Sequence, residues 1–280
     1  MKVFYDDRQT VESNISISPS AGKPAKAVKE WQKLVNVELM PVTPVTIEDL
    51  CLVHDENFVK GVLSCEIANG FDNHSQEIAD SLLWTNGSFV SAARYAAQNK
   101  VCTVSPTSGF HHATYGKAMG FCTFNGLMLA AVLLKKEGLS ERIAIADIDM
   151  HYGNGTDDII RALGIDYVSH YTFGRYTHIK TRADQQAYID SLPEVMDVLF
   201  RRDPDILFYQ AGADPHEDDP YGGALTTQNL KDRDRIVFEK AKEKGIPVVW
   251  NLAGGYQPDL SKVLEIHNNT ALMHKEVFGD

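Results

Sequence analysis

The feature that most constrains this chain is a set of short apolar runs that barely alternate and then stop at polar, glycine-rich segments. RIAIAD from Arg142, DILFYQAG from Asp205 and PVVWNLAGG from Pro247 are of this kind. A strand with one wet face alternates apolar and polar residues, whereas a strand covered on both faces does not. KVFYD near Lys2, VCTVS from Val101 and YVSHY from Tyr167 are further strand candidates. Windows of helical period fill the intervals, over 25–35, 75–98, 125–136, 156–163, 184–200, 227–244 and 260–277. Buried strands joined through helices imply crossovers, so we expect an α/β chain with a mostly parallel central sheet. No internal repeat or linker interrupts it, and residues 1–280 read as a single-domain, three-layer αβα unit.

Charge narrows the partners. The chain carries 27 basic and 38 acidic residues, a formal net charge of -11, which disfavours nucleic-acid phosphates or an anionic membrane surface as the main partner. No apolar run reaches the roughly 18 residues of a membrane span. MKVFYDDRQT meets acidic residues before any stretch long enough for a secretory leader, so the expected location is cytoplasmic. Cys51, Cys65, Cys102 and Cys122 form no CxxC pair and read as small core residues. Oligomeric state is left open.

In open parallel sheets, sites form beyond the carboxyl ends of strands. PTSGFHHA follows VCTVS, IDMHYGNG follows RIAIAD, AGADPHEDDPYGG follows DILFYQ, and LAGGY follows VVWN. Asp149 and His151, two residues apart, face one way on an extended chain. With Asp214 from another strand end they would make a site of two carboxylates and one imidazole. Three ligands and an open position suit a catalytic zinc ion, one per chain. A lone DxH is as readily a turn with satisfied polar groups; the second acidic strand end and a nearby His pair favour the metal. His111 and His112 would then transfer protons near metal-activated water. Asp147 and Asn154 are the candidates to fix their tautomers. Tyr256, after Gly254 and Gly255, is either a packing aromatic or a phenol aimed at an oxyanion.

Taken together, VHDENFV from Val53, SGFHHA from Ser108, GFCTFN from Gly120, DIDMHYGNGT from Asp147, AGADPHEDDPYGG from Ala211 and AGGY from Ala253 resemble the histone deacetylase superfamily. These are zinc-dependent amidohydrolases that share their fold with arginase. The resemblance implies zinc on Asp149, His151 and Asp214, and a tandem catalytic pair of His111 and His112. Asp147 would orient His111, Asn154 would sit near His112, and Tyr256 would polarise the scissile carbonyl. It also implies that Gly120, Phe121 and Phe110 line a channel for an acylated amine, such as acetyl-lysine or an acetylated polyamine. A structural potassium ion would lie near Asp147, Asp149, His151, Ser169 and His170.

Several residues depart from that pattern. Asn154 stands where some members have Asp, and Tyr152 replaces a frequent His. The stretch between Ser169 and Asp214 is short and lacks the usual wall loops, so we expect a channel open on that side or closed by another subunit. Phe173, Arg175, Tyr176 and His178 are the candidates to replace the wall. ISPSAGKP from Ile17 replaces a basic, proline-rich motif, and Asp72 in NGFDNHS is a weak match to a rim residue. Two rivals stay in view. Asp214, His216 and Asp218 spell DxHxD, as in binuclear manganese ureohydrolases of the arginase type, but no carboxylate follows His151 at bridging spacing. A non-catalytic binder of acylated amines is the other.

Overall fold

The computed structural model describes residues 1–12, 16, 18–175 and 179–279. Seven strands form one sheet: β1 (Lys2–Phe4), β2 (Glu38–Met40), β3 (Thr103–Ser105), β4 (Ile143–Asp147), β5 (Val168–Thr172), β6 (Ile206–Gln210) and β7 (Val248–Asn251). Their spatial order is β2-β1-β3-β7-β6-β4-β5. Every neighbouring pair is parallel. The six expected strands are present. The one not anticipated, β2, is a three-residue edge strand with two exposed residues, too short to stand out.

Nine helices are described: α1 (Lys23–Leu34), α2 (Ile47–Leu50), α3 (Glu56–Leu63), α4 (Gln76–Asn99), α5 (Gly126–Lys136), α6 (Asn154–Ala162), α7 (Arg182–Leu199), α8 (Thr227–Glu243) and α9 (Leu260–Phe278). Seven match the expected windows within a few residues; α2 and α3 are too short to show a clear period. Local chemistry sets their starts. Ser75, Asn125 and Asp259 each accept a backbone N–H of the first turn, and Thr226 forms a capping box with Asn229.

Two apolar layers cover the sheet. Ala144, Ala146, Leu207 and Trp250 face α1, α7, α8 and α9, where Trp31 packs on Trp250 at 5.3 Å. Ile143, Ile145, Phe208 and Val249 face α3, α4, α5 and α6. This is the three-layer αβα architecture, and it explains why β4, β6 and β7 carry no polar face: every residue in them is buried.

The strands end in a polar row. Register places Ser105 beside Asn251, Asn251 beside Gln210, Gln210 beside Asp147 and Asp147 beside Thr172. All five are buried. Buried polar groups need partners, and the row supplies some of its own: Gln210 Nε2 donates to Asp147 Oδ1 at 3.1 Å. The apolar runs therefore stop at one level across the middle of the sheet, and the loops beyond it converge.

Candidate active site

Asp147, at the end of β4, is fully buried. It accepts His111 Nδ1–H on Oδ2 at 2.8 Å while Gln210 holds Oδ1. His112 donates Nδ1–H to Asn154 Oδ1 at 2.6 Å. The two imidazoles lie 4.1 Å apart. Each ring thus has its tautomer set by the partner that sequence reasoning proposed. Burial and the positive neighbour His111 push His112 down to about 4. Gly120 rests on the His112 ring: a Cβ there would lie 2.5 Å from Cδ2, so a glycine is required.

Asp149, His151 and Asp214 converge, with one ligand atom from each lying within 4.8 Å of the others. They are the one such group among the described residues. His151 Nδ1 sits 2.9 Å from Asp214 Oδ2 and 3.2 Å from Asp149 Oδ1. Its Nε2–H donates to the Tyr221 carbonyl at 3.2 Å, which leaves Nδ1 for a ligand bond. The donor set of two oxygens and one nitrogen suits a divalent ion such as zinc. The electrostatics agree: burial and the neighbouring Asp149 push Asp214 up to about 7, and hydrogen bonds to Asp149 and Asp214 push His151 up to about 11. The cluster favours positive charge at its centre.

Tyr256 stands on the other side. Its ring is 6.4 Å from His151 and 5.6 Å from Phe121. The loop that carries it is tightly constrained. Gly254 N–H donates to Asp149 Oδ2 at 2.8 Å, and a Cβ on Gly254 would lie 2.4 Å from Asp214 Oδ2. Gly255 has φ 144°, open to glycine but not to other residues without strain. Burial and the nearby Asp149 and Asp214 carboxylates push the Tyr256 phenol well above its ordinary range, so it stays a proton donor.

Other expectations fare differently. Phe121 is half-buried beside Tyr256, at the mouth, and Phe71 packs on it at 5.9 Å. Asp72, next to Phe71, is exposed at that rim with φ 57°. Phe110 is buried and packs against Phe89 at 5.4 Å, and it shares with Phe71 and Phe121 the lining of one small cavity. Phe173 is no replacement wall either, because its ring lies in the core, 4.6 Å from Tyr188. The Arg175 side chain, Tyr176 and His178 lie outside the described residues, as does Ile17. His216 and Asp218 stay out of the metal cluster. His216 Nε2 meets Thr227 Oγ1 at 3.0 Å and its Nδ1 accepts the Asp218 N–H, while the Asp218 side chain is exposed. His170 turns to the Asp147 side of the sheet, its Nε2 3.8 Å from Asp147 Oδ2. Ser169, one residue earlier, faces the α7 side.

Two supporting residues escaped the sequence reading. Lys23, inside the altered N-terminal motif, is fully buried and donates Nζ to Ala253 O at 2.8 Å and Gly254 O at 3.4 Å. Its one sequence signal is its place in the i, i+4, i+8 stripe Lys23, Ala27, Trp31. Arg233 of α8 is also fully buried and donates Nη1 to Gly212 O at 2.7 Å and Ile148 O at 3.2 Å, which fixes both ligand-bearing strand ends. Its flanks, KDRDR, read as an exposed charged run.

The histone deacetylase domain model matches residues 20–178 and 171–271. The chain belongs to the histone deacetylase domain family. A Picosynechococcus protein, described only as uncharacterized, is 28% identical over 247 residues, which cover 80% of this chain and 79% of that one. Histone deacetylase 2 of Arabidopsis thaliana is 27% identical over 243 residues, 77% of this chain and 62% of its own length. A probable deacetylase of Methanothermobacter thermautotrophicus is 26% identical over 175 residues, 53% of this chain. The match covers 51% of that archaeal protein, so two of these three relatives are matched over less than two thirds of their length. The crystal structure of the HDA15 HD domain superposes with a TM-score of 0.78 at 18% identity, covering 99% of this chain and 95% of that one. That likeness establishes the deacetylase-type α/β fold. Family membership makes this a deacetylase-type hydrolase domain, in a family that generally depends on metal.

Proposed function

We propose that this chain is a zinc-dependent amidohydrolase that removes an acetyl or other short acyl group from an amine. The observation that carries the reading is the convergence of three sets of groups from four strand ends. The His pair, the Asp149–His151–Asp214 cluster and Tyr256 surround one small space, with His112 5.9 Å and Tyr256 6.4 Å from the His151 ring. When bound to that cluster, zinc supplies Lewis acidity to the scissile carbonyl and to the attacking water.

The chain's own groups do the rest. Tyr256 donates its phenolic proton in a hydrogen bond to the carbonyl oxygen as negative charge grows there. His112 is neutral, with Nδ1–H committed to Asn154, so its Nε2 is the atom that takes the water's proton. The same proton then passes to the departing amine. Asp147 keeps His111 oriented beside it. Phe121 and Gly120 form the near wall of the entrance. The products are a short carboxylic acid and a free amine.

Potassium belongs to this reading through oxygens of Asp147, Asp149, His151, Ser169 and His170, of which His170 would offer its main-chain carbonyl, since its side chain is an imidazole. Metal analysis for potassium tests that part.

The deciding experiment is turnover of acetyl-lysine peptides and N-acetylated polyamines by zinc-loaded and chelated protein. Turnover that needs one zinc per chain supports the reading. Ligand binding without turnover identifies an acyl-amine-binding protein instead. Two manganese ions per chain would indicate a ureohydrolase, a reading that the placement of His216 and Asp218 outside the cluster argues against.

A further inference from the structure

We infer that Asp219 is the positioning residue for Tyr256, holding the phenol in register with the metal ligand His151. This rests on the amide-hydrolase reading above. The connection runs through one carboxylate. Asp219 Oδ2 accepts the backbone N–H of Tyr256 at 2.7 Å, and Oδ1 accepts the backbone N–H of Tyr221 at 3.1 Å. The Tyr221 carbonyl takes the Nε2–H of His151 at 3.2 Å, and the Tyr221 ring meets the Tyr256 ring edge-on, 5.2 Å away at 88°. Asp219 thus links the loop after β6, which bears Asp214, to the loop after β7, which bears Tyr256.

The Tyr256 loop needs such a tie. Ala253 has φ 50° and Gly255 φ 144°, so two of the three residues before Tyr256 lie in sparsely populated backbone regions. Lys23 and Asp149 fix Ala253 and Gly254. Among the described hydrogen bonds, only the one that Tyr256 N–H donates to Asp219 involves Tyr256 itself. Asp219 is 5% exposed, and bonds from N–H groups to a desolvated carboxylate are the strong kind. An Asn at 219 has one acceptor oxygen for two N–H groups and turns its NH2 toward the other, where it repels.

The test uses the full chain loaded with zinc, an ε-acetyl-lysine peptide and an N-acetylated polyamine as substrates, and 3-fluorotyrosine at position 256. Asp219→Asn is expected to lower kcat about 10- to 100-fold with KM within about twofold. In a Tyr256→Phe background the same substitution is expected to cost less than about threefold, because the group it positions is gone. The fluorine resonance of residue 256, single in the parent, is expected to broaden or split in Asp219→Asn. Asp219→Glu tests the same point with the charge retained and the reach wrong, and is expected to disturb the resonance as well. Multiplicative losses in the double variant, or an unchanged resonance in both Asp219 variants, overturn the inference. If the parent turns over neither substrate, the amide-hydrolase reading falls, while the fluorine signal still decides whether Asp219 holds Tyr256.

Discussion

His111 and His112 are neighbours in sequence and their rings lie 4.1 Å apart, yet their partners differ in charge. His111 donates to the Asp147 carboxylate, and His112 donates to the Asn154 amide. A carboxylate stabilises an imidazolium; an amide orients the ring and leaves it weakly basic. The pair is therefore built asymmetrically.

The first prediction follows. Burial and His111 already hold His112 down to about 4, and an Asp at 154 would raise it. A base works only when unprotonated, so activity falls as pH drops through that value. Asn154→Asp should move the acidic limb of the kcat/KM profile to higher pH by about one unit or more. A limb that stays in place would show that Asn154 does not set the basicity of the proton acceptor.

Tyr256→Phe removes the hydroxyl and keeps the ring contacts with Phe121 and Tyr221. We expect kcat to fall roughly 100-fold, with zinc content unchanged. An equal loss of zinc would assign the phenol to metal retention instead.

Gly254→Ala tests the metal cluster without using activity. The added Cβ would fall 2.4 Å from Asp214 Oδ2 and 2.7 Å from Asp149 Oδ2. Moving either carboxylate should weaken zinc at least about tenfold in a chelator competition. Parent-like affinity would mean that these carboxylates do not hold the ion.

His54 gives a prediction about stability. Its Nδ1–H donates to Thr114 O and its Nε2 accepts the N–H of Asn125, which caps α5. Burial lowers it to about 4, against 6.5 in the unfolded chain. The unfolded state therefore binds more protons between those values, and stability rises with pH across that window. Going from pH 7 to pH 5 should cost the parent about 2 kcal/mol more than it costs His54→Gln, whose amide can both donate and accept. Urea unfolding of both metal-free proteins measures the difference; equal losses would refute the assignment.

Much of this was legible in the sequence for one physical reason. Continuous burial keeps β4, β6 and β7 almost wholly apolar up to their last residues, so Asp147, Asp149 and Asp214 stand out at or just past their ends. His111, His112 and Asn154 were legible as a set because each proposed partner proved to be within hydrogen-bond reach. The channel residues were harder. Phe110 and Phe121 sit in similar glycine-containing segments, and only packing shows that Phe110 is buried while Phe121 is half-exposed. Lys23 and Arg233 were hidden because a buried cation in a helix looks like an exposed one until the tertiary fold supplies its carbonyl partners. β2 was missed because three residues, two of them exposed, are too few to show a strand period.

The polar row that runs from Ser105 through Asn251, Gln210 and Asp147 to Thr172 is one residue deep. Strand length here is accordingly counted in whole residues, with no tolerance. One residue inserted into β4 or β6 would turn its terminal polar group into the apolar layer and reverse the facing of everything after it. A loop beyond the row can change length and leave the row where it was. The connection between β5 and β6, which carries α7, lies beside the outermost strand and is open to change of the second kind. New specificities on this scaffold are open to splicing in the loops and closed to it in the strands.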